Sequence, residues 1–157
     1  MGLFGPDKIT IRLDKLQYKP GDVITGSVGL NLRKPVHARK VFVSLLGKVR
    51  TTRIDSKGHR HTEDVVVYDF TVPLDSENDY MSEMYHFEIK IQSDILQMHS
   101  SSQQLQQLLQ AKLGTIGAVL GSIATAGQGP VRWMIHAQLD VPMKLDVKKT
   151  QDIVISQ

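Results

Sequence analysis

Apolar and polar residues alternate from residue 8 onward. Ile9, Ile11 and Leu13 take turns with Thr10, Arg12 and Asp14, the period-two signature of a half-buried strand. Residues 18–22 (Tyr-Lys-Pro-Gly-Asp) then spell a turn. Pro20 presets one backbone angle, Gly21 permits positive φ, and Asp22 can bond its own nearby backbone. Val23, Ile24, Val28, Leu30 and Leu32 make residues 23–33 a second strand. Gly26 and Gly29 interrupt it, as at a bulge or a close approach of another backbone.

The same pattern continues downstream. Residues 36–52 read as a long third strand, with Val41, Val43, Leu45 and Gly47 on one face and Phe42, Ser44, Leu46 and Lys48 on the other. Because the second face is partly apolar, this strand is expected in the middle of a sheet. Residues 55–59 form a hairpin tip in which Gly58 can turn left-handed. The return strand, 62–73, carries Val66, Tyr68, Phe70 and Val72 as its expected core face. Residues 84–91 follow, with Tyr85, Phe87, Ile89 and Ile91 aligned. The last two strands are 131–141 and 145–156, the latter with Leu145, Val147, Ile153 and Ile155 on one side. Seven strands separated by turn signals predict an all-β, antiparallel β-sandwich of immunoglobulin-like type. Val43, Leu45, Val66, Tyr68, Phe70, Phe87, Ile89, Ile135 and Leu139 are expected between its sheets.

Three motifs carry a family resemblance. Residues 18–28 resemble the Y-x-P-G-D-x-V-x-G-x-V signature of arrestin-domain proteins, with Ile24 in the usual valine place. Val41, Val43, Leu45 and Gly47 resemble the third-strand V-x-V-x-L-x-G motif. Gly129, Val131, Trp133, Ile135, Ala137 and Leu139 resemble the later G-x-I-x-Y-x-V-x-A-x-L strand. The resemblance implies one arrestin N-type sandwich over residues 1–157. The family usually pairs two such sandwiches, and this length accommodates one; truncation and a natural one-domain form both stay open. No Pro-Pro-x-Tyr element is present, so ubiquitin-ligase recruitment is not implied.

The departure from the family is an insertion at about residues 95–128. Leu105, Leu109, Leu113, Ile116, Leu120 and Ile123 recur there at helical spacing, predicting one helix within 101–125. Its apolar stripe is a docking surface, either for the chain's own sandwich or for a partner or second copy. Gly114, Gly117 and Gly121 weaken it in isolation. The uncharged run 113–131 is long enough to cross a membrane, but its glycines, its Pro130 and its place between strands argue against that.

Charge adds one element to this picture. Between Arg33 and Arg60 stand nine Lys or Arg and a single acid, Asp55, a local charge of +8 in a chain of +3. Arg39, Lys40, Arg53, Lys57 and Arg60 are the candidate contacts for an anionic partner. Arg50 resembles the arginine that follows the third-strand motif in that family, which implies internal pairing with an acid. Catalytic signatures are missing: no Gly-x-Ser-x-Gly, His-Glu-x-x-His or phosphate loop occurs. His59 and His61 flank one residue and would need further ligands to hold a metal. The basic stretch offers only Phe42 for stacking, so nucleic acid is not the expected partner. With no cysteine, disulfides and thiolate metal sites are ruled out, in keeping with a cytoplasmic protein. The expectation is a non-catalytic adaptor or scaffold without cofactor, binding a protein or an anionic, phosphorylated peptide segment. The alternative is a peripheral membrane or lipid head-group module using the basic stretch and the 101–125 helix. Homo-oligomerisation stays open.

Overall fold

The computed structural model describes residues 8–98 and 130–157. The strands are β1 (Lys8–Leu13), β2 (Gln17–Tyr18), β3 (Val23–Asn31), β4 (Val36–Ala38), β5 (Lys40–Ile54), β6 (Arg60–Asp75), β7 (Asn78–Tyr80), β8 (Met84–Lys90), β9 (Val131–Asp140) and β10 (Val147–Ile155). A single helical turn, α1 (Ile95–Met98), follows β8. The helix expected within 101–125, with Leu105, Leu109, Leu113, Ile116, Leu120 and Ile123, lies outside the described residues.

The alternation pairs these strands into two facing sheets. One has the order β1-β3-β8, the other β2-β10-β9-β5-β6, and a short β4-β7 ladder closes one end. Apart from the two-residue parallel β2–β10 pair, every ladder is antiparallel. β5 is an interior strand, flanked by β9 and β6, as its two partly apolar faces require. Between the sheets lie Ile9, Ile24, Val28, Phe87 and Ile89 from one side and Val41, Val43, Leu45, Trp133, Ile135, Ala137 and Leu139 from the other. Truncating Leu45 or Ile135, both without exposed surface, to alanine removes about 2–5 kcal/mol each.

Two glycines exist because of what lies over them. A Cβ at Gly26 would stand 2.4 Å from the Arg12 carbonyl oxygen, and one at Gly47 would stand 2.7 Å from the Trp133 ring. Gly26 therefore marks a close approach, with β1 and β8 paired across it in unbroken register.

Three expectations about burial need correction. Val66 and Phe70 are exposed and Tyr68 is only half-buried, whereas Val65 and Val67 are buried with Val49 in a separate small cluster. The cause is a bulge. β5 pairs Gly47 with Tyr68 but Lys48 with Val66, so Val67 is an extra residue and the faces exchange beyond it. Phe70 pairs with Leu45 and keeps the inner face, but β6 is the sheet's edge strand and the facing sheet does not cover it. Leu145, expected in the last strand, stands outside it: β10 starts at Val147 and Leu145 is 94% exposed.

Candidate functional site

β5 and β6 stay paired past Val49, where the ladder with β9 ends, and close in the tip at residues 55–59. Asp55 builds this tip. Its Oδ1 accepts the backbone N–H groups of Lys57 at 2.9 Å and His59 at 2.8 Å, while its N–H donates to the His59 carbonyl at 2.9 Å. Gly58, at φ +82°, closes the turn where a side chain would be strained. Oδ2 of Asp55 faces His61 Nε2 at 2.9 Å and His59 Nδ1 at 3.4 Å. The His61 hydrogen bond first, and the His59 amide next, hold the Asp55 carboxyl down at about 2.

With its one acid engaged in this way, the tip leaves its cations outward. Arg53, Lys57 and Arg60 are exposed and make no ion pair among the described residues. Other basic side chains are held. Arg50 Nε lies 3.3 Å from Asp64 Oδ1, and Arg132 Nη2 lies 2.9 Å from its Oδ2. Burial works against the Asp64 carboxylate, but the two guanidinium groups outweigh it and lower its pKa. Arg50 thus pairs with an acid, but at the surface rather than internally as the resemblance implied. Arg53 sits opposite His61 and Arg60 opposite Ile54, so the two arginines leave opposite faces of the ribbon with Lys57 at its end.

Arg39 and Lys40 do not join this group. They lie at the other end of β5, whose 15 residues span on the order of 50 Å. Arg39 bonds Asp140 at 3.3 Å, and the Lys40 ammonium lies 5.2 Å from the Phe42 ring centroid. The basic stretch of the sequence is therefore two surfaces in space. Leu105, Leu109, Leu113, Ile116 and Leu120 lie outside the described residues.

Among the described residues no group of three His, Asp or Glu is placed to hold a metal. A shallow trough of about 640 Å³ runs over the outer face of the three-stranded sheet, lined by Arg12, Asp14, Thr25, Ser27, His86 and Glu88. Asp14 is already committed there: the Thr25 hydroxyl, and then the Tyr18 hydroxyl at 3.0 Å, hold its pKa down. No described helix is long and apolar enough to cross a membrane. The sequence reading missed the exposed pair Met143 and Leu145; Pro142, which cannot continue a ladder, was the available signal that the chain leaves the sheet.

Against known proteins, the chain is similar in fold to the sporulation control protein Spo0M of Bacillus subtilis, with a TM-score of 0.57 and 15% identity. That alignment covers 98% of this chain and 51% of Spo0M, so the chain spans about half the length of that relative. An alkylpurine DNA glycosylase, AlkC of Pseudomonas fluorescens, aligns at a TM-score of 0.38 and 14% identity, over 96% of this chain and 30% of the other. A β-glucosidase of Listeria innocua aligns at 0.36 and 8%, over 96% and 16%. Both scores are too low to bear on the fold. No curated protein sequence matches. The model of the family described as arrestin (or S-antigen), N-terminal domain, matches residues 9–157, and the chain belongs to that family.

Proposed function

We propose that this chain is a non-catalytic adaptor module of the cytoplasm that holds an anionic, phosphorylated or acid-rich segment of a partner protein at the β5–β6 tip. One observation carries this reading. Arg53, Lys57 and Arg60 make no ion pair among the described residues, while Arg39, Arg50 and Arg132 are tied to Asp140 and Asp64. Free, exposed cations on a projecting hairpin attract an anionic chain and speed its encounter. Their position on both faces of the ribbon suits a flexible segment that wraps the tip better than a flat surface.

The test is fluorescence polarisation with a labelled phosphoserine-rich peptide at several salt concentrations. Binding should weaken as salt rises, and Arg53→Glu with Arg60→Glu should lower affinity by roughly 10-fold and flatten that dependence. Arg39→Glu, at the other end of the strand, should leave it unchanged. Equal affinity for wild type and the tip variant would sink the reading. So would loss of binding to phosphatidylserine vesicles, rather than to peptide, in the tip variant.

A further inference from the structure

The end of the molecule opposite the tip carries a differently built surface. β9 and β10 are joined by residues 141–146, and the loop is braced from within. Asp146 Oδ1 accepts the Val141 N–H at 2.9 Å, and its Oδ2 accepts the Gln138 side-chain amide. Asp140, at the loop's base, is bonded to Arg39. Two further acids at this end, Glu77 and Asp79, face His37 at 3.5 and 2.9 Å.

Out of this braced loop stand Met143, 104% exposed, and Leu145, 94% exposed. Single exposed apolar side chains are ordinary, but two fully extended ones from one short loop form a concentrated apolar prong. Met143 also holds a left-handed backbone, φ 59°, uncommon for a residue other than glycine. Cations share this end of the sheet. Lys144 lies between the two in sequence, Lys148 sits opposite Gln138, and Lys40 sits opposite Asp140 in the β5–β9 ladder. None of the three has an ion-pair partner among the described residues.

We propose that the β9–β10 loop docks on an anionic bilayer surface, with Met143 and Leu145 reaching below the head groups and Lys144, Lys148 and Lys40 against their phosphates. Apolar side chains with ammonium groups at the same end of the sheet match such a boundary, which is apolar beneath and anionic above. The loop's own acids, Asp140 and Asp146, are engaged in internal bonds, whereas its cation, Lys144, is exposed. A fixed protein groove would also take two apolar side chains, but Lys144 and Lys148, exposed and without an ion-pair partner among the described residues, favour a surface offering many anions and no set shape. The proposal uses the pole opposite the tip and does not depend on the tip's role.

The experiment is co-sedimentation of the full chain with vesicles of phosphatidylcholine alone and of phosphatidylcholine with one third phosphatidylserine. Wild type should bind the second, less so at high salt, and not the first. Met143→Ser with Leu145→Ser should weaken binding by about 100-fold without lowering the melting temperature, since both side chains are in solvent. Lys144→Glu with Lys148→Glu should weaken it too, whereas Arg53→Glu with Arg60→Glu should not. Soluble glycerophosphoserine should not compete, because it offers phosphate without an apolar layer. Wild type that binds neither vesicle, or a Met143/Leu145 variant that binds like wild type, overturns the proposal. A variant that instead loses concentration-dependent self-association would assign the prongs to a protein contact and overturn it as well.

Discussion

At the scale of single residues, Gly47 shows how one hydrogen atom decides the packing of the longer sheet. The Trp133 ring lies over it and meets Tyr68 edge-on, centroids 5.6 Å apart. Gly47→Ala must displace that ring, and overpacking of this kind costs about 1–3 kcal/mol. Urea unfolding should show the loss, and emission from the chain's one tryptophan should shift with it. Gly26→Ala should be worse, because the obstructing atom is the Arg12 carbonyl, which cannot rotate away as a side chain does. Asp55 supplies a pH test. Its pKa is lowered from 3.8 to about 2, so what it contributes to the tip is present above 3.8 and lost as pH falls through about 2. Amide resonances of Lys57 and His59 should move together across that window while those of β9 stay fixed.

At the scale of elements, the bulge in β6 makes a sharp comparison. Val65→Ala removes buried methyl groups and should cost about 2 kcal/mol, whereas Val66→Ala, on the outer face, should change stability by less than ~0.5 kcal/mol. Chemical denaturation of the two variants checks the register directly, and reversed values would return the faces to simple alternation. This is also where the limit of reading the chain by its pattern lies. Alternation located the long strands, and the Pro-Gly-Asp turn was legible because each residue has its own backbone reason for being there. The bulge was not legible, because Val65, Val66 and Val67 are equally apolar and only the pairing with Gly47 and Lys48 chooses among them. Leu145 misled for a related reason: its spacing continues the alternation of β10, but Pro142 and the bonds of Asp146 hold it outside the ladder. The candidate site was half legible. The excess of cations from Arg33 to Arg60 stood out, yet neighbours along an extended strand separate by about 3.3 Å per residue. A run of charge laid on β5 is therefore divided between the two ends of the molecule.

At the scale of the whole molecule, β5 sets the tip and the β9–β10 loop on the order of 50 Å apart on one stiff sheet. That is several Debye lengths at physiological ionic strength, so charge changes at one pole should not be felt at the other. No side chain of either surface belongs to the buried clusters, so altering them should leave the core untouched. Combining Arg53→Glu and Arg60→Glu with Met143→Ser and Leu145→Ser should therefore give additive losses, with coupling below about 0.5 kcal/mol. The decisive measurement places a labelled acidic peptide with phosphatidylserine vesicles and asks whether the chain carries one to the other. Wild type should sediment the peptide with the vesicles, and either pair of substitutions alone should abolish that transfer. The tip variant should still sediment by itself, and the loop variant should still bind peptide in solution. If substitutions at one pole removed both kinds of binding, the two surfaces would be one site, and the separation along β5 would have no functional meaning.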